Sequence, residues 1–279
     1  MILEFLNELY EQNLSYNSIN TARSALSALA SCLGISDSIG SNPFIKRFLK
    51  GVFETRTPKP KYDHFWDVSK VLDLFLSWKD NDTLSVKDLT LKTCALLLLV
   101  TAQRLQTLHT VNLADIEFRE SVCVIKITEK IKQTKPGRSA ENLTINKFEE
   151  NTKLCPVLTL SRYIEMTKSH RKRNAKLFIC YKKPYGIASK DTLSRWMKTV
   201  LRLSGINEFG AHSFRGASSS KLANQGMAIH DILKLGGWSN TGTFQKYYNR
   251  SNTSEKQQVK MIQKKQCVME MFLNKKDNI

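Results

Sequence analysis

The sequence predicts a mainly α-helical fold with one small antiparallel β-sheet. Three observations carry that prediction. Most of the chain reads as apolar stripes at helical spacing, broken by capping residues and glycines. One segment, "SVCVIKITEKIK", alternates instead and is rich in Val and Ile. A polar, basic stretch with two prolines, residues 55–64, separates a short helical part from a longer one. The expected organisation is a helical N-terminal domain at 1–54, a linker at 55–64, a larger domain at 65–252 and a helical tail at 253–279.

Taken in order, the elements have local reasons. "SINTARSALSALASCLG" puts Ile19, Ala22, Leu26, Leu29 and Leu33 on one helical stripe, with Gly34 as the stop. "SNPFIKRFLKGVF" offers Asn42 as a cap and Pro43 in the first turn, with Phe44, Phe48 and Val52 on one face. Beyond the linker, "DVSKVLDLFLSW" is amphipathic. "SVKDLTLKTCALLLLVTAQ" opens on a capping box, Ser85 and Asp88, and becomes apolar all round. Its later half is therefore expected to be buried. Arg104 follows directly.

"SVCVIKITEKIK" reads as a strand, "TKPGRSAE" as a turn around Pro136 and Gly137, and "NLTI" as the return strand. Helices resume at "PVLTLSRYIEMT" and at "SKDTLSRWMKTVLRLSG", which ends on Gly205. "GAHSFRGASSSKLANQGMAIHDILKLGGW" reads as two short helices joined at Gly226. His212 and Arg215 are three apart there, on one helical face. The tail reads as an amphipathic helix, with Val259, Met261 and Ile262 near one side and Val268, Met271 and Phe272 further on.

Composition narrows the function. Apolar residues make up 41% of 279, enough for a sizeable core. Lys and Arg number 43 against 25 Asp and Glu, a net charge of +18. Such an excess points to a polyanion, nucleic acid first and a membrane surface second. The six cysteines are scattered without a CxxC pair, which disfavours a zinc site or a disulfide framework and suits a reducing compartment. "CALLLLV" is too short to span a bilayer, and no secretory signal opens the chain. The expectation is a soluble, intracellular protein with no cofactor and no metal. "HRKRNAK" at 170–176 fits a nuclear signal or a DNA-facing patch, but such a run is more often a solvated loop and carries no weight alone.

An HxxR pair alone is weak: it also fits a helix-turn-helix touching phosphates, or a structural histidine beside a surface arginine. The order of the polar groups is stronger. Arg104 follows a buried helix, Lys132 lies in a hairpin, then come His212 and Arg215, then "LGGWSNTGTFQKYYNR" with Trp238, Tyr247 and Tyr248. With "TAQRLQTLHTVNLADI", "KIKQTKPGR", "LCPVLTLSRYI" and "AHSFRGASSSKLANQG", this order resembles the tyrosine recombinase (phage integrase) superfamily over about residues 67–250. The N-terminal helices resemble the end of the family's core-binding domain. The wording "QRLQTLH" and "WSNxxTFxKxY" is most similar to the recombinases of eukaryotic DIRS-type and Crypton-type mobile elements.

The resemblance implies a recombinase catalytic fold behind a small helical core-binding domain, and a strand-transfer reaction that the residue types suit. A tyrosine of ordinary pKa, about 10, becomes a nucleophile only where positive charge favours its phenolate. Arg104 and Arg215 would grip the non-bridging phosphate oxygens, with His212 and the Trp238 indole N–H donating to the same group. Lys132 would protonate the leaving 5′ oxygen, with Lys130 and Lys135 of the same hairpin as alternatives. The nucleophile would be Tyr248, ten residues after Trp238, with Tyr247 as the alternative. The product would be a 3′-phosphotyrosine, rejoined without ATP.

The implied partner is duplex DNA, clamped by the two helical domains, with self-association as a dimer or tetramer on DNA. The tail would dock on a neighbouring subunit or pack on its own domain. The location would be the nucleus in a eukaryote. Two departures stand out: Trp238 occupies a position where many relatives have histidine, and Ala102 one where glycine is common. A domesticated DNA-binding protein without activity and a type IB topoisomerase are the competing readings.

Overall fold

The computed structural model describes residues 1–34, 39–59, 61–132, 134, 137, 139–171 and 174–248, the side chains of Lys246 and Tyr247 excepted. The chain divides into two compact units between Lys61 and Tyr62. The expected tail helix at 253–279 lies outside the described residues.

The first unit holds α1 (Ile2–Glu11), α2 (Tyr16–Cys32) and α3 (Pro43–Thr55). Ser15 caps α2 by accepting from the Ser18 amide at 3.2 Å. Leu6, Ile19, Ala30, Ile45, Leu49 and Val52 form its core. The stripe expected on α2 is corrected at its C-terminal end. Ala30, three turns from Ile19, is buried, whereas Leu29 lies about 80° round the helix and is 57% exposed. Leu33 is already past the last turn and is exposed too. On α3 the cap is where it was expected: Asn42 Oδ1 accepts from the amides of Phe44 and Ile45 at 3.0 and 3.3 Å. The buried face starts one residue later, at Ile45, Leu49 and Val52, with Phe48 flanking it and Phe44 71% exposed.

The second unit is built around α5 (Val86–Thr101), in which every residue from Leu89 to Thr101 is buried. The hydroxyl of Ser85 accepts from the Asp88 amide at 3.1 Å and donates to the Asp88 carboxylate at 2.7 Å. α4 (Val68–Ser77) precedes it, and α6 (Leu105–Thr110) follows. α7 (Pro156–Thr167), α8 (Lys190–Leu203) and α9 (Ser213–Asn224) pack against α5. α10 (Ile229–Gly236) and α11 (Thr241–Tyr247) complete the unit.

The sheet runs β1 (Ile116–Phe118), β2 (Val122–Ile125), β3 (Leu143–Asn146), all antiparallel. The register pairs Cys123 with Ile145 and Ile125 with Leu143, so four buried residues share one face. β2 stops at Ile125, well short of the alternating segment that predicts it. The rest of that segment enters a hairpin whose base is fixed by side chains. Thr128 Oγ1 donates to Asp115 Oδ2 at 2.9 Å, and Lys176 pairs with Glu129. β1 and α6 have no counterpart in the expectations, being too short for a periodic signal.

Two other expectations change. Tyr62 and His64, expected in the linker, pack inside the second unit. The Tyr62 hydroxyl accepts from the Gly210 amide at 2.9 Å, and both rings lie against Phe209. In "HRKRNAK", Arg171 is buried and donates to the carbonyls of Lys176 and Leu177 at 2.8 and 2.9 Å. That guanidinium ties a loop together instead of facing a partner. Among the described residues no helix is long and apolar enough to cross a membrane.

Candidate active site

Four segments of the second unit converge. The first is the end of α5. Ala102 caps it at φ +48°, in the left-handed region that favours glycine, and so turns the chain sharply. Gln103 Nε2 then donates to the Leu235 carbonyl at 2.8 Å, tying this turn to α10. Arg104 follows as the N-cap residue of α6, and its Nη1 is buried without a hydrogen-bond partner.

The second segment is the start of α9. His212 sits at the N-cap, exposed, while Arg215 one turn on is only 1% exposed. Arg215 Nη1 donates to the carbonyls of Ala102 and Gly236, at 2.6 and 2.7 Å. It thus clasps the two neighbouring turns to each other. Its Nε and Nη2 have no partner. α9 is held from below by Trp66, whose indole N–H donates to Ser213 Oγ at 2.8 Å.

The third segment explains "GGW". Gly237 caps α10 at φ +68°, again left-handed. A Cβ on Gly236 would lie 1.9 Å from the Trp238 ring, so only glycine allows the indole to fold back. The Arg215 guanidinium stacks over that ring, 3.5 Å from its centroid. Trp238 is 7% exposed and its Nε1 is buried without a partner.

The fourth is α11. Asn240 Oδ1 caps it, accepting from the Gly242 amide at 2.6 Å. Tyr248 lies just past its last turn. Its ring packs edge-on against Trp238 at 5.0 Å. A 3.0 Å hydrogen bond joins its hydroxyl to His212 Nε2, the direction set by the imidazole tautomer. Its carbonyl accepts from the Ser220 hydroxyl.

Arg104, His212, Arg215, Trp238 and Tyr248 are therefore brought together. Lys132 is not part of this cluster: it stands exposed in the hairpin turn, as does Lys130 on the approach to it. Lys135 lies outside the described residues, as does the Tyr247 side chain. A cleft of about 580 Å³ runs from Gln103 and Trp238 to the hairpin residues Ile127 and Ile131. Gln103 and Ser220 were not anticipated. Their only signals are a polar residue ending a buried helix and the last serine of "SSS".

The electrostatics follow from this packing. Burial, then repulsion from the Arg104 cation, lowers the Arg215 guanidinium to about 9, with Tyr248 acting in the opposite direction. Among the described residues no carboxylate pairs with Arg104 or Arg215. Four buried donor nitrogens, from Arg104, Arg215 (two) and Trp238, are thus unsatisfied in a positive pocket. Buried donors normally find partners, so this arrangement is built for an anionic acceptor. Among the described residues no group of three or more His, Cys, Asp or Glu side chains is placed to hold a metal ion.

Comparison with known proteins agrees with the fold. The XerH site-specific recombinase, solved on its palindromic difH substrate after cleavage, superposes with a TM-score of 0.63 at 15% identity, over 94% of this chain and 71% of that one. The Tn1549 transposon integrase in complex with transposon right-end DNA gives 0.60 at 18% identity, over 94% and 84%. A lambda integrase dimer bound to a COC′ core site gives 0.54 at 17% identity, over 91% and 65%. A sequence search of curated proteins returns no match. The model of the phage integrase family matches residues 69–255, which contain every one of the five clustered side chains. On that match the chain belongs to the phage integrase family, the tyrosine recombinases that break and rejoin DNA.

Proposed function

We propose that the protein is a site-specific DNA recombinase that cleaves one strand by attack of Tyr248 and rejoins it through a 3′-phosphotyrosine. The observation that carries this reading is the ring of four unsatisfied buried donors beside a tyrosine hydroxyl already bonded to a histidine. A scissile phosphate placed there would accept from Arg104, Arg215 and Trp238. Those same donors would favour the growing charge of the pentacovalent transition state. His212 holds the phenol and takes part in its deprotonation. Pressing the phenolate form also relieves the cost of the buried Arg215 cation.

A lysine of the hairpin, Lys132 in this reading, protonates the leaving 5′ oxygen once the hairpin folds toward DNA. The cleft between Trp238 and the hairpin supports such a path. The residue before the nucleophile in "TFQKYY" is aromatic, as in the DIRS-type and Crypton-type recombinases. This supports a mobile-element integration or excision role, and a nuclear one in a eukaryote. Several of the similar structures are complexes with DNA, including a lambda integrase dimer on a core site and a tetramer on a Holliday junction. Assembly of this chain on DNA, through residues 253–279, belongs to the same proposal.

The test is a pool of nicked duplexes of randomised sequence, scored for covalent protein–DNA adducts on denaturing gels. Tyr248→Phe should abolish the adduct with DNA binding retained, and Tyr247→Phe should leave it. The reverse pattern moves the nucleophile to Tyr247. Wild-type protein that binds the duplexes but never forms an adduct favours the inactive DNA-binding reading.

A further inference from the structure

We propose that Ser220 is a positioning residue for the nucleophile, holding the main chain of Tyr248 so that its phenol stays in front of His212. The inference rests on the assignment of Tyr248 as nucleophile. Ser218, Ser219 and Ser220 are all buried on α9. Each hydroxyl serves a different acceptor. Ser218 donates to the Leu99 carbonyl and so pins α9 to α5. Ser219 donates back to the Arg215 carbonyl at 2.8 Å, within its own helix. Ser220 donates to the carbonyl of Tyr248, 28 residues further along the chain.

That carbonyl needs a donor. It follows a helix of seven residues, too short to hold its own end firmly. Tyr248 has other holds: its amide donates to the Phe244 carbonyl at 2.8 Å, its ring leans on Trp238 and its hydroxyl meets His212. The last two holds would have to change during the reaction, because the Trp238 N–H turns to the phosphate oxygens and the His212 bond alters as the phenol loses its proton. The Ser220 bond touches no phosphate donor and persists through the reaction. It also places the nucleophile on the same rigid helix as Arg215, five residues away, or about 7.5 Å along the axis. Attacking oxygen and phosphate clamp are thereby registered by one element.

The test reads Tyr248 directly and needs no DNA site. 3-Fluorotyrosine is placed at position 248 of the full chain and followed by ¹⁹F NMR. Wild type should give one narrow resonance. Ser220→Ala should broaden or split it, and Ser220→Thr, which keeps the hydroxyl, should restore it. Orthovanadate, as the phosphate stand-in, should raise Tm equally in wild type and Ser220→Ala, because the arginine and indole donors are untouched. Adduct formation should fall about 10- to 100-fold in Ser220→Ala, the range expected for a misplaced reacting group. An unchanged resonance in Ser220→Ala overturns the proposal. So does loss of the vanadate response together with a large drop in Tm, which marks a general structural role. If Ser220→Ala does not fold, Ser220→Cys is compared in its place, and an unchanged resonance there is equally fatal. Failure of the nucleophile assignment looks different: adducts would survive Tyr248→Phe while the ¹⁹F change remained.

Discussion

Arg215 divides its guanidinium between two tasks. One nitrogen clasps the carbonyls of Ala102 and Gly236, and the other two stay open toward the pocket. A lysine could not do both, having a single point of charge and no planar fork. The clasp also holds the left-handed turn at Ala102. Ala102 sits at φ +48°, which costs a non-glycine residue about 1 kcal/mol or more, and its carbonyl is what Arg215 holds. Ala102→Gly removes that strain but also a buried methyl worth about 0.8 kcal/mol. The expected result in chemical denaturation is unchanged stability or a gain of up to about 1 kcal/mol. Ala95→Gly, in the interior of α5, should instead lose about 1–2 kcal/mol. An equal loss at both positions would show that Ala102 is not strained.

At the scale of elements, α5 organises the second unit, and it carries an unusual passenger. Lys92 is fully buried, its ammonium donating to Asn81 Oδ1 at 2.9 Å. Burial first, and the Lys153 cation second, lower it to about 8, with Asp80 partly offsetting them. The sign follows from linkage. Below pH 8 Lys92 is protonated in both folded and unfolded chains, and the folded state bears the full cost of the buried charge. As pH rises from about 8 to about 10.5, the folded chain releases the proton first, so this group's contribution to stability rises. Lys92→Met should raise stability at pH 7 by about 1 kcal/mol and remove that rise. Parallel denaturation curves at pH 7 and 9.5 check it, and an identical pH slope in both proteins would refute it. The same helix shows what was legible: its capping box and its all-round apolar half are local features, and both are found as expected. α6 and β1 were not legible, because six and three residues carry no period.

For the whole molecule, the net charge of +18 is the dominant fact. Basic side chains that neutralise several phosphates release counterions on binding, so affinity falls steeply with salt. Binding to a duplex of arbitrary sequence, followed by fluorescence anisotropy, should weaken by about a hundredfold or more between about 50 and 200 mM salt. A flat response would remove DNA as the partner. Removal of residues 254–279 is the matching test of assembly: monomer binding should persist and DNA-dependent oligomers should disappear. Oligomers that survive the deletion would place the assembly surface within the remaining residues.

The sequence by itself determined the longer helices of the second unit, the caps at Asn42 and Ser85, the antiparallel return of "NLTI" on β2, and the identity and order of the clustered side chains. These depend on periodicity, capping and residue chemistry, which are local. Tertiary structure decided which of those side chains meet and how each is used. His212 and Arg215 lie three residues apart, yet one is exposed and the other buried, because α9 is buried from its first residue, Ser213, while His212 caps it from outside. Lys132 shares only its positive charge with the arginines and stays outside the cluster, exposed in the hairpin turn. Three apolar residues expected inside, Leu29, Leu33 and Phe44, lie at the surface because the neighbouring helices set which arc of α2 and α3 is covered. The roles of Gln103 and Ser220 depend on carbonyls 132 and 28 residues away. A hydrogen bond of that span leaves no pattern in the sequence, because a donor and an acceptor become partners only when the fold brings them within reach.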